Sequence, residues 1–420
     1  MKKYLESNRW FILACSILVM SCMMFPSVWS VFLADATETY GLSITDAATI
    51  MPMCSAFMGI FSIVGGRLQD KFSPRLVAIA GICLFTTGIF MLSRLGKVES
   101  VTTLYLSFCM PFGLGCGLTS PVLTTTTMKW FADKRGFVVG VRGASTSVFL
   151  MLFTFVSKYM LTNFGIKRTF FIMGCVFFTV SIISVVAFVN PDDEYIRAKS
   201  AISMRNMRGK NADGTVKEYV QVDFTPSEMI RTKQFWLLFL AGTFGAPLFM
   251  LVAPVIVNFG IKRGLSENLA VATVAISTGV AAIGKFILPT LSDKIGRKKC
   301  TVTFGIISLI CAVILMFSSG IGVLIFYCLM YLTYTGWSMV ISPLATDMFG
   351  TKNAGANMGI LMIHGTITAL GSSMVLRFLA PVIGELAPNI IGIVSMVLGI
   401  IFMSLIDTDT SKIKKRQKAK

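Results

Sequence analysis

Twelve runs of about 20 predominantly apolar residues constrain this chain more than any other feature. They lie near 11–33, 44–64, 76–93, 101–127, 136–157, 169–189, 235–258, 268–291, 300–319, 321–345, 354–376 and 386–406. A run of that length crosses a bilayer core of about 30 Å as a helix. The first run follows MKKYLESNRW, has no small-residue cleavage site at a suitable distance and exceeds a signal h-region. It reads as a retained helix. Pro and Gly residues predict breaks in the tenth and twelfth spans.

Composition agrees. The chain is 55% hydrophobic and only 14% charged, against roughly 25% charged in a soluble protein. Most cysteines, Cys15, Cys22, Cys54 and Cys116 among them, fall inside spans, with no CxxC pair and no His-bearing metal spacing. They read as small packing residues. No metal and no cofactor is expected.

The net charge of +18 would by its sign suit nucleic acid. Its distribution points to a membrane instead. Of the 38 Lys and Arg, 28 fall on one side of the spans, eight on the other, and two, Arg142 and Lys285, within them. The rich side is expected to be cytoplasmic, with both termini there. The tail SKIKKRQKAK then reads as an anchor at an anionic leaflet, not a nucleic-acid arm. A multi-pass plasma (inner) membrane protein is expected, as a monomer.

The longest polar stretch, residues 190–232, separates six spans from six. It divides the chain into an N-terminal bundle (1–189), a cytoplasmic linker (190–232) and a C-terminal bundle with its basic tail (233–420). Two echoes relate the bundles. GRLQDKFSPR (66–75) answers PTLSDKIGRK (289–298), each after the second span of its half. MKWFADKRGFVVG (128–140) answers TDMFGTKNAGANMG (346–359), each before the fifth. The reading is a duplicated six-helix unit, with its halves related by an axis along the membrane normal.

Gly66, Asp70, Lys71, Ser73, Pro74 and Arg75 form G-x-x-x-D-K-x-S-P-R, which resembles the loop 2–3 signature of the major facilitator superfamily. The second copy keeps Asp293, Lys294, Gly296 and Arg297 but begins with Pro289. NRWF (8–11), WFADKRG (130–136), PSEMIRTKQFW (226–236), SDKIGR (292–297) and TDMFG (346–350) are similar to the oxalate:formate antiporter branch, related to the monocarboxylate porters. The resemblance implies an all-α polytopic fold of 12 transmembrane helices in two pseudo-symmetric six-helix bundles. It also implies a gate latch at Asp70 and Asp293. A carboxylate at the end of a span can pair with Arg or Lys, or meet the N-terminus of a neighbouring helix. A plain interfacial cap with a tight turn is the other reading.

Lys285 is the only charged residue among the 25 positions between Glu267 and Asp293. It lies about 12 Å in from the basic loops, where an ionised group costs about 2.5–3.5 kcal/mol. No Asp or Glu falls in the assigned interior of any span, so a substrate anion is a natural counter-charge. A snorkelled or structural lysine is the alternative. The branch places a substrate-binding basic residue here, usually Arg. Its second basic residue, a lysine of the eleventh helix, corresponds to Gly365, next to His364, the only histidine. His364 lies about 18 Å in. It can donate a hydrogen bond to substrate, carry a proton, or bond a neighbouring backbone. Losing the second fixed cation favours a monocarboxylate over oxalate.

Arg142, about 10 Å into the fifth span, either draws anions into a vestibule or satisfies carbonyls and carboxylates at the surface. Trp29, Tyr334 and Trp337 occupy regions where the branch places cage aromatics; packing is their other reading. The glycines of GLGCG (113–117) permit close helix approach.

The expectation is a secondary carrier of small organic anions by alternating access, with its site between the halves. Monocarboxylate porters place an Asp four residues before the basic residue, where Ala281 stands here. This favours exchange, while His364 keeps proton symport open. No P-loop is present, so ATP hydrolysis is not expected. Nor is enzymatic activity, since one His and no intramembrane acid make no catalytic cluster. Efflux of other small solutes and a non-translocating sensor are the alternatives.

Overall fold

Every one of the twelve apolar runs contains helix in the computed structural model, and there is no strand among the described residues. The description covers residues 8–42, 46–47, 49–199, 223–375, 382, 384 and 386–408. The basic tail and residues 200–222 of the linker lie outside it. Eight helices among the described residues are long and apolar enough to cross a membrane. One of them, Arg135–Ala187, carries both the fifth and sixth runs. Gly165 divides it, with φ 70 and ψ 168, a left-handed backbone that a side chain would disfavour. Large apolar side chains such as Phe155, Ile183 and Phe317 stand exposed, as lipid-facing residues do.

Helix starts carry their own signals. Ser73 accepts from the Leu76 N–H (3.3 Å) and Pro74 opens the third span, Pro74–Arg94. Thr225 and Glu228 close a reciprocal capping box on the short helix Pro226–Ile230. Thr232 caps the seventh span, accepting from the Phe235 N–H at 3.1 Å.

The breaks fall elsewhere than expected. The tenth span, Ile321–Phe349, is one helix with Pro343 inside it. The twelfth, Ala387–Ser404, is also continuous, with its proline in the first turn, where a missing N–H costs nothing. The first span is split into Arg9–Cys22 and Trp29–Tyr40 by a 3-10 turn holding Pro26. The seventh is split into Lys233–Gly245, Pro247–Val252 and Ile256–Lys262. The eleventh breaks at Met362, between Ala354–Leu361 and Ile363–Met374. The first and seventh spans occupy equivalent places in the two halves, and interrupted helices at such places mark binding regions in carriers.

The chain packs as two compact units. One comprises Met1–Trp130, Ser145–Asp193 and Ala354–Thr366; the other comprises Phe131–Ala144, Glu194–Asn353 and Ile367–Lys420. The start of the fifth span thus packs in the second unit, and the start of the eleventh in the first.

In the first unit, glycines let the second, third and fourth spans meet closely. A Cβ on Gly115 would lie 2.8 Å from Phe85 Cβ, and one on Gly117 would lie 2.8 Å from the Met58 carbonyl oxygen. In the second unit, the Trp337 indole fills the space left by Gly245 and Gly305. A Cβ on Gly245 would overlap the ring, and one on Gly305 would lie 2.7 Å from Trp337 Cζ3.

Candidate functional site

In the first unit, the second span (Ile50–Lys71) crosses the start of the eleventh. Asp70 Oδ1 accepts from the Gly355 N–H at 3.2 Å, and Oδ2 from the Ala356 N–H at 2.8 Å. These are the second and third residues of Ala354–Leu361, whose N–H groups have no partner within their own helix. Asp70 therefore caps a helix far away in sequence. Small residues permit the approach. A Cβ on Gly66 would lie 2.6 Å from the Gly355 carbonyl carbon. Ser62 donates to the Gly359 carbonyl at 3.0 Å. Gln69 beside Asp70 donates to Thr125.

The second unit repeats the arrangement. Asp293, near the end of Glu267–Ile295, accepts from the Gly136 N–H at 3.0 Å and the Phe137 N–H at 2.9 Å. These are again the second and third residues of a helix, the one that begins at Arg135. Here ion pairs are added. Arg297 pairs with Asp293 at 2.8 Å and with Asp347, and Arg135 pairs with Asp347. Both guanidiniums are almost wholly buried. Of the other signature residues, Lys71 lies 5.6 Å from the centre of the Phe72 ring. Arg75 donates to the Val186 carbonyl at 2.6 Å, and Lys294 is exposed.

Lys285 is half-buried, and its stem lies against the fifth span. A Cβ on Gly143 would lie 3.5 Å from Lys285 Cβ and 3.6 Å from Cδ; one on Gly140 would lie 2.7 Å from the Lys285 carbonyl oxygen. The helix carrying the cation is thus seated on a glycine face. Arg142, on the same fifth span, is 4% exposed.

Tyr334 stacks on Phe249 of the short Pro247–Val252 helix, with centroids 4.8 Å apart, and Tyr331 stacks on the same ring at 4.0 Å. Trp337 is wholly buried between Gly245 and Gly305. It therefore does not share surroundings with Tyr334, despite the three-residue spacing. In the first unit, Trp29 is 3% exposed and donates to the Ala47 carbonyl at 2.8 Å. It stacks with Phe108 and Phe170. His364 is the second residue of Ile363–Met374, next to the break at Met362. Among the described residues, no group of three or more His, Cys, Asp or Glu gathers as a metal site.

Sequence reasoning missed Asp347, Arg135 and Asp223. The first two sit inside quoted motifs, and pairing them required the fold. Asp223 Oδ1 accepts from the Thr351 and Lys352 N–H groups at 2.8 and 2.9 Å. No pattern near it signals this.

The sequence model of the Major Facilitator Superfamily matches residues 10–373. The oxalate:formate antiporter of Oxalobacter formigenes is 27% identical over 367 residues, 84% of this chain and 81% of that one. Human monocarboxylate transporter 2 is 26% identical over 213 residues, 50% of this chain and 41% of that one. The Escherichia coli fucose:proton symporter FucP has the same fold, with a TM-score of 0.69 at 16% identity, covering 94% of this chain and 98% of that one.

Proposed function

Because the chain belongs to the Major Facilitator Superfamily, we propose that it is a secondary transporter that moves small organic anions, monocarboxylates in the first place, by alternating access and anion exchange. The observation that carries this reading is Lys285. It is a cation well inside an apolar span, held on the glycine face of the fifth span by Gly140 and Gly143. An ammonium at that depth costs about 2.5–3.5 kcal/mol, and a visiting carboxylate offsets the cost. Binding thereby favours the occluded state over the open ones. The names of the relatives, an oxalate:formate antiporter and a monocarboxylate transporter, support the same substrate class.

The other roles follow. His364, at the break of the eleventh span, supplies a hydrogen bond to the substrate. Tyr334, stacked on the short middle helix of the broken seventh span, supplies an apolar wall. Arg142 adds positive charge toward the basic loops, while Trp29 packs helices of the first unit and Trp337 those of the second. The distribution of Lys and Arg supports a cytoplasmic position for the basic loops, for the Asp70 and Asp293 contacts and for both termini. Each contact joins a helix of the first six to one of the last six, so both must release before the cytoplasmic side opens.

Proteoliposomes containing the purified chain and loaded with unlabelled carboxylate test the reading. Labelled formate, lactate or oxalate should enter by counterflow, and Lys285→Ala should abolish saturable entry. Counterflow of none of these anions would sink it.

A further inference from the structure

The described end of the linker is bound to the loop between the tenth and eleventh spans. Asp223 Oδ1 accepts both the Thr351 and the Lys352 N–H. The Phe224 N–H donates to the Phe349 carbonyl at 3.0 Å, and the Asn353 amide donates to the Phe224 carbonyl at 3.1 Å. The Phe224 ring is wholly buried, edge-on to Phe349 at 5.7 Å. On its other side the segment is anchored by the Thr225–Glu228 capping box, by buried Met229 and by the Thr232 cap of the seventh span.

The loop so held is short and its flanks matter. Asp347, two residues before Phe349, takes Arg297 and Arg135. Gly355 and Ala356, three and four residues after Lys352, give their N–H groups to Asp70. We infer that Asp223 is a positioning residue for the transport cycle: it ties residues 350–353 to the entrance of the seventh span and sets where Gly355 and Ala356 present their N–H groups to Asp70. This rests on the latch reading of Asp70. A single oxygen of Asp223 accepts both bonds, so an asparagine carbonyl can take its place. Asp70 uses both oxygens, so asparagine cannot replace it.

Amide hydrogen exchange of the full chain in lipid nanodiscs, resolved to single residues, tests this together with uptake of labelled formate. Asp223→Ala should speed exchange about tenfold at Thr351 and Lys352, and also at Gly355 and Ala356. Asp223→Asn should restore all four amides and the uptake rate. A rise confined to Thr351 and Lys352, or none, overturns the inference. If Asp223→Ala does not fold, Asn353→Ala, which removes the bond to the Phe224 carbonyl, takes its place. Faster exchange at Gly355 and Ala356 then supports the inference, and unchanged exchange there overturns it. Asp70→Asn separates the two readings. It should speed exchange at Gly355 and Ala356 alone, and no change there removes the latch while leaving the Asp223 comparison readable.

Discussion

Asp70 and Asp293, in separate halves of the sequence, make the same contact: each carboxylate accepts one backbone N–H on each oxygen, from the second and third residues of a helix far along the chain. The surroundings differ. Asp293 is braced by Arg297 and, through Asp347, by Arg135. Near Asp70 the neighbouring cation is Lys129.

Because both oxygens are used, Asp70→Asn and Asp293→Asn each lose one acceptor and turn an NH2 toward an N–H. The expected penalty is about 1–3 kcal/mol on the contact. Turnover should fall several-fold while substrate affinity barely changes, read from exchange rate against binding in the same preparation. Equal loss of both would argue against a latch.

Removing Asp347 leaves two buried guanidiniums without their shared carboxylate. Loss of one partner from such a group costs about 3–5 kcal/mol. Asp347→Ala should lower the thermal midpoint in detergent by about 5 °C or more, and more than Asp70→Ala does. A wild-type midpoint would mean that the network contributes nothing to stability.

Gly140→Ala would place a methyl 2.7 Å from the Lys285 carbonyl and 2.9 Å from that of Phe286. Neither backbone can yield as a side-chain tip does, so the eighth span must shift and carry Lys285 with it. Uptake is expected to fall at least about tenfold, with expression retained. Normal uptake would show that the seat of Lys285 is not tight.

Exchange requires no proton. Uptake into liposomes preloaded with unlabelled anion should persist without a pH gradient, and His364→Gln should leave its pH profile unchanged. A profile flattened by that substitution would assign a proton to the imidazole and favour symport.

The twelve spans were legible because a single segment in lipid satisfies its own backbone only as a helix, so an apolar run of about 20 residues marks one. The paired D-K motifs were legible as an echo. The breaks were less so: the tenth span, where Pro or Gly breaks are expected, runs through Pro343 as one helix, whereas the eleventh span breaks at Met362, with no proline there. Neighbouring helices decide whether a freed carbonyl finds a partner. Tyr334 and Trp337 share a spacing, yet one meets Phe249 and the other fills a slot left by two glycines.

Thus the chain's own order of residues determined that it crosses a membrane many times and that Lys285 is the only charge between Glu267 and Asp293 in an apolar helix. Only the folded arrangement decided which N–H groups Asp70, Asp293 and Asp223 receive, and that Asp347 serves two arginines. Those partners lie scores to hundreds of residues apart, and no periodicity along a chain encodes which distant backbone a side chain will meet.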